Sequence, residues 1–265
     1  MQPLVMGVLN VTPDSFSDGG CWLDPGAAVA HARQLLAEGA DVIDVGGEST
    51  RPGAEPVGED EELRRVLPVL EALAGSCRLS IDTRHQGVAR AAVAAGAEII
   101  NDVSGDLGRV AADTGAGWIA VHSRGVPATQ ASATAYGDVV AEVTAELVAR
   151  ADAARVAGVA EVWIDPGLGF GKDLAHNLSL VAHLDTLVAT GLPVVLGASR
   201  KMFLGRLLAA SDDRSPVAAD TRPVPPDDRV EGSLAVAVWA MHLGVAMVRV
   251  HDVAPTVHAR TLVGA

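Results

Sequence analysis

Eight short apolar runs, each closing on polar residues or glycine, limit the possible folds of this chain more than any other feature. They end near Asn10, Gly46, Asp82, Asn101, His122, Asp165, Gly197 and His251. Val42-Ile-Asp-Val45, Glu98-Ile-Ile-Asn101, Trp118-Ile-Ala-Val-His122, Val194-Val-Leu196 and Met247-Val-Arg-Val250 are rich in β-branched residues. Short apolar runs of this kind are strands buried on both faces of a parallel sheet. Between them lie helical patterns. The clearest places Leu63, Val66, Leu67, Leu70 and Leu73 at the three-and-four spacing of an amphipathic helix.

Alternation of strand and helix makes the class α/β. The junctions then choose the architecture. A glycine in the left-handed conformation commonly ends a helix before the chain turns into the next strand, and Gly39, Gly75, Gly96, Gly115, Gly158, Gly191 and Gly244 stand at such places. Eight strands have seven junctions between them, so the expected fold is a single (β/α)8 TIM barrel rather than a doubly wound open sheet.

With 265 residues, 49% of them hydrophobic, the chain suits one domain spanning residues 1–265. Ser211 to Asp228 breaks the rhythm with four prolines and five aspartates, and is expected to be a mobile surface loop. It is expected to follow a helix from about Lys201 to Leu208 and precede one from Arg229 to Leu243. A net charge of -13 disfavours nucleic acid and anionic membranes as partners, so a phosphate-bearing ligand needs a local cluster of donors. The start of the chain has no basic stretch or long apolar segment, which implies a cytoplasmic protein. Cys21 and Cys77 form no disulfide framework and are read as reduced.

Barrel enzymes build their sites at the carboxyl ends of the strands. That rule collects Asn10, Asp82, Asn101, His122, Asp165, Lys201, Arg249 and His251. Asp165 is the right acceptor for a ligand with two adjacent N–H donors, as on a pterin or guanine edge, and Asp82 and Asn101 complete such a pattern. Otherwise Asp165 caps a helix or pairs with Lys172, and the other two make strand-end turns. Arg249 and His251 alternate with Val250, so both face one side of the last strand, where barrels commonly bind phosphate. The alternative for Arg249 is a salt bridge to Asp252. Ser199-Arg-Lys201 opens a helix whose backbone N–H groups are suited to an anion, with Lys201 as the ligand-facing cation. His122 is either a site residue or a partner for nearby backbone. Val11 to Gly20 and Gly47 to Gly53 have the Gly, Pro, Ser and Thr content of mobile lids.

These stretches resemble the dihydropteroate synthases, a family of pterin-binding TIM barrels. The matching motifs are Asn10 to Gly20, Gly46 to Gly53, Ser80-Ile-Asp-Thr83, Asn101-Asp-Val-Ser-Gly105, His122-Ser-Arg-Gly-Val-Pro127, Asp165 to Lys172, Gly197-Ala-Ser-Arg-Lys201 and Arg249 to Val253. The resemblance implies joining of 6-hydroxymethyl-7,8-dihydropterin diphosphate to 4-aminobenzoate, with diphosphate released and Mg2+ bound. It also implies that Asp82, Asn101, Asp165 and Lys201 line the pterin pocket, while Asn10, Arg249 and His251 hold diphosphate and Asn10 touches the metal. Phe16, Thr50, Arg51, Pro52 and Ser199 would meet the aminobenzoate, and Asp18 would order the first loop. Lys201, Arg249, His251 and Asp165 would be the residues on which catalysis depends. The resemblance further implies a homodimer through the last helices.

Val121, where the family usually has methionine, Asp106 in place of a second glycine, and a short fourth helix depart from the pattern. A pterin-binding paralogue without turnover, a pterin-dependent methyltransferase, and a barrel aldolase or isomerase are the competing readings. The intact first two loops and Lys201 weigh against the first, and the Ser49-Thr-Arg-Pro52 loop weighs against the second. The pterin-edge trio weighs against the third, which fold alone does not exclude.

Overall fold

Strand β1 (Leu4–Asn10) begins a sheet whose strands are all parallel. The structure is a computed structural model that describes residues 2–12, 24–49, 56–124, 135–218 and 221–264. The other strands are β2 (Val42–Gly46), β3 (Arg78–Asp82), β4 (Ile99–Asp102), β5 (Gly117–Val121), β6 (Val162–Asp165), β7 (Val195–Leu196) and β8 (Met247–Val250). Among the described residues the intervening helices are α1 (Pro25–Ala37), α2 (Glu59–Leu73), α3 (Gln86–Ala94), α4 (Gly108–Thr114), α5 (Val139–Val156), α6 (Leu174–Ala182), α7 (Leu184–Val188), α8 (Met202–Asp212) and α9 (Val230–His242), and α10 (Val253–Val263) follows β8.

The sheet runs β6-β5-β4-β3-β2-β1-β8-β7. Its two edges meet where Ile164 bridges Val194 and the Ile164 N–H donates to the Pro193 carbonyl at 3.0 Å, so the sheet curls into the expected (β/α)8 barrel. All seven junction glycines have positive φ, between +72° and +112°. At these places an L side chain would strain the backbone, which is why the residue type marked the repeat.

Successive side chains in a strand face opposite ways, and the barrel sorts them into two cores. Met6, Val42, Ile99, Ile119, Trp163, Val195 and Met247 fill the inside. Val5, Ile43, Leu79, Ile100, Ile164 and Val248 pack outward against the helices. Two residues further along the inward column, Met247 gives way to Arg249, Val42 to Asp44, Ile99 to Asn101 and Trp163 to Asp165. Strand parity therefore delivers polar groups to the mouth above an apolar layer.

On α2 the buried face is Val66, Val69, Leu70 and Leu73, with Leu63 packed at its edge. Glu59, Asp60, Glu61 and Glu62 fill the first turn, where the helix dipole favours negative charge. α8 runs to Asp212, past Leu208, because Ala209 and Ala210 continue a helix-favouring sequence and Ala210 is buried. The Pro- and Asp-rich segment thus begins inside a helix, and its last residues, Pro226–Asp228, form a 3-10 turn. Gly205 lets it dock. A Cβ there would lie within 3.0 Å of Arg229 and Pro223, and the Gly205 carbonyl accepts from Val224 N–H at 3.1 Å. No helix among the described residues is long and apolar enough to cross a membrane.

Candidate active site

A cavity of about 570 Å³ opens at the carboxyl ends of the strands, and Asn10, Asp82, Asn101, Asp165, Ser199, Lys201, Arg249 and His251 all line it. These come from β1, β3, β4, β6, the β7–α8 turn and the end of β8, so the fold gathers residues far apart in sequence. Phe16, Asp18, Thr50, Arg51 and Pro52 lie outside the described residues, as does Cys21.

Arg249 is the electrostatic hub. Its Nε donates to Asp44 Oδ2 at 2.6 Å and its Nη2 to Asp82 Oδ2 at 2.7 Å. Asp252, the alternative partner, instead holds Arg200 through bonds of 3.1 and 2.6 Å. Burial pushes the Asp82 carboxyl up to about 7 even though Arg249 pulls it down. Asp44 is fully buried, also accepts from Asn101 Nδ2 at 3.0 Å, and keeps a second oxygen with no partner among the described residues.

Asp165 Oδ1 accepts from the Gly167 N–H at 2.7 Å in a local turn. Its other oxygen faces the space left open by Gly197, where a Cβ would sit 3.6 Å from Asp165 Oδ2 and 3.8 Å from Arg249 Cδ. Carboxylate and guanidinium thus share one wall. Burial raises the Asp165 carboxyl, opposed by the charge on Lys201 and the Gly167 N–H. Lys201, pulled down to about 8 by burial, donates to the Leu168 carbonyl and stands 4.5 Å over the Phe170 ring. His251 Nδ1 is 3.0 Å from Ser199 Oγ, which also accepts the His251 backbone N–H at 3.2 Å.

One expectation changes and one alternative is decided. The N–H groups of Arg200 and Lys201 are taken by Ser233 Oγ at 2.9 Å and the Ala198 carbonyl at 3.2 Å, so they do not form an anion site. His122 does not line the cavity. Val121 takes the inward position of β5, and parity turns His122 outward, fully buried between Lys172 Nζ at 3.0 Å and Glu146 Oε2 at 3.1 Å. Lys172 is not Asp165's partner: it binds the carbonyls of His122, Gly167 and Phe170 at 3.0–3.2 Å. Burial, then Lys201, pulls its pKa down to about 7. Lys172 thereby fastens the β6–α6 turn that carries Leu168 and Phe170 beneath Lys201.

Periodicity also passed over a buried group behind the second loop. Glu48 accepts from Arg84 at 2.8 and 2.9 Å and from Val57 N–H at 3.0 Å, while Glu62 meets His85 at 2.6 Å. Burial alone raises Glu48, but Arg84 holds it below the usual carboxylate range; Glu62 stays raised. Ligand atoms of Glu48, Glu62 and His85 lie within 4.8 Å of one another, a spacing that suits a metal ion. Arg84 already supplies the positive charge there, and the Val57 N–H donates a further bond to Glu48. Asn10 is the better match to a hard cation. Its amide oxygen lies 3.6 Å from the Cβ position that Gly46 leaves empty, a neutral oxygen donor at an open mouth.

A family model described as pterin binding enzyme matches residues 6–251. Dihydropteroate synthase from Mycobacterium leprae is 48% identical over 270 residues, covering 98% of this chain and 92% of the relative. The Escherichia coli enzyme is 44% identical over 273 residues, covering 100% and 92%. Among solved structures, Yersinia pestis dihydropteroate synthase with a sulfonamide drug has a TM-score of 0.90 at 43% identity, over 99% of this chain and 94% of that one. The Xanthomonas albilineans enzyme with 4-aminobenzoic acid has a TM-score of 0.85 at 46% identity, over 98% and 92%.

Proposed function

Since this chain belongs to the pterin-binding enzymes, within the dihydropteroate synthases, we propose that its barrel mouth joins 6-hydroxymethyl-7,8-dihydropterin diphosphate to 4-aminobenzoate and releases diphosphate. One observation carries the reading: Asp82, Asn101, Asp165, Lys201 and Arg249 share a single cavity. Three hydrogen-bonding side chains and Lys201 for a heterocycle lie beside Arg249 for a diphosphate.

In this reading Asp165 accepts two N–H groups of the pterin, Asp82 and Asn101 complete the edge, and Lys201 closes the pocket. Arg249 and His251 hold the diphosphate, and Asn10 contacts Mg2+. Bound Mg2+ would supply positive charge to the leaving diphosphate. The C–O bond at the pterin methylene breaks with its electron pair leaving on diphosphate, and the electron-rich ring stabilises the cation left behind. The amine lone pair then forms the C–N bond and the extra proton passes to solvent. An arylamine is neutral near pH 7, so positioning matters more than a general base. Ser199, Phe16, Thr50, Arg51 and Pro52 would place that amine, with Asp18 ordering the first loop. We read the protein as one domain, cytoplasmic, and paired as a homodimer through its last helices.

The test is diphosphate release with the dihydropterin diphosphate and Mg2+, with and without 4-aminobenzoate. Release that depends on the amine is expected. Release at the same rate without it ends the synthase reading.

A further inference from the structure

The cavity continues beyond the polar ring along α8, where Met202, Phe203 and Arg206 line it, and it reaches Pro223 and Pro226. Docking of the Val224 region at Gly205 brings those prolines to this face, while half-exposed Met202 marks the outer rim. Arg206 lies one turn beyond Met202, so both reach the same side.

The state of Arg206 is unusual. Its Nε is buried with no hydrogen-bond partner, and among the described residues its guanidinium makes no hydrogen bond or ion pair. The nearby arginines are engaged, Arg200 with Asp252 and Asp227, Arg229 with the carbonyls of Val224 and Arg200. Acidic groups are not scarce in a chain with 33 of them against 20 Lys and Arg. A buried N–H left without an acceptor is costly, and the five N–H donors of a guanidinium suit a planar carboxylate.

The dihydropterin diphosphate has its anionic tail near Arg249 and His251. The other reactant carries a carboxylate across the ring from its amine. We propose that Arg206 pairs with the carboxylate of the aromatic amine and so selects anionic over neutral anilines at this site. This rests on the assignment of 4-aminobenzoate as the amine.

The test compares 4-aminobenzoate with neutral 4-aminobenzamide in the wild type, Arg206→Met and Arg206→Lys, with binding of the dihydropterin diphosphate measured separately by calorimetry. Arg206→Met is expected to raise KM for the acid about 10- to 100-fold, and to shift KM for the amide less than about twofold, with kcat retained. Lysine should restore part of the preference. No partner among the described residues is lost, so Arg206→Met should melt at the wild-type temperature or above. An equal loss for both amines, an unchanged ratio, or weaker binding of the diphosphate instead would overturn the proposal. A wild type whose diphosphate release needs no amine would sink the synthase reading itself.

Discussion

Arg249→Ala is expected to lose both turnover and stability, and the two losses separate in a second variant. Arg249 is bonded to Asp44 and Asp82 at 2.6 and 2.7 Å, and Asp44 has no exposed surface. Removing one member of a buried ion pair strands the other, at a cost of about 3–5 kcal/mol. Turnover should fall about 100- to 1,000-fold, the usual effect of deleting one donor from a developing negative charge. Adding Asp44→Asn removes the stranded charge, so part of the stability should return while turnover stays low. Thermal melts and initial rates read the two effects. A melting temperature equal to wild type in Arg249→Ala would show that the Asp44 and Asp82 bonds contribute nothing net.

Lys201→Ala should be the converse, a large loss of turnover with little change in stability. The ammonium is desolvated enough to bring its pKa down to about 8, and its only hydrogen bond among the described residues goes to the Leu168 carbonyl. Deleting it removes an unfavourably buried charge along with that bond, so the melting temperature should shift little. Turnover should drop about 100-fold or more, as for other groups aimed at a reacting centre. The charged form is the one that stabilises anionic groups. In the wild type, kcat/KM should therefore fall as pH rises through about 8, and the variant should lack that limb. Near-normal rates in Lys201→Ala would remove this residue from the machinery.

The barrel was legible in the sequence because its signals are local. Strand runs, positive-φ glycines and polar strand ends each depend on a few neighbouring residues. The mouth was legible for the same reason, since a polar residue ending an apolar run has one place to go. Asp44 was not, because one acid inside Val42-Ile-Asp-Val45 leaves the apolar reading of the strand intact. Its partner lies in the last strand, 205 residues away. A buried carboxylate needs a cation, and Arg249 in another core strand was the available clue. Glu62 was hidden likewise, by a helix first turn that favours acids anyway, while Lys172 was in view only as the alternative partner of Asp165 and not of the carbonyls it holds. His122 stayed open for a different reason: a histidine one residue past the end of β5 suits either the mouth or a buried partner, and alternation gives the inward place to Val121. The outward-pointing ring serves Lys172 and Glu146 instead.

Labour is divided at one mouth, with Asp165 gripping the ring and Arg249 and His251 gripping the tail. Calorimetry of wild type and Asp165→Asn with the dihydropterin diphosphate, and with the same dihydropterin lacking diphosphate, tests it most directly. Asp165→Asn should weaken both ligands by the same factor, about 10- to 100-fold for a lost charge-assisted hydrogen bond. A loss confined to the diphosphate ligand, or no loss with either, would contradict it.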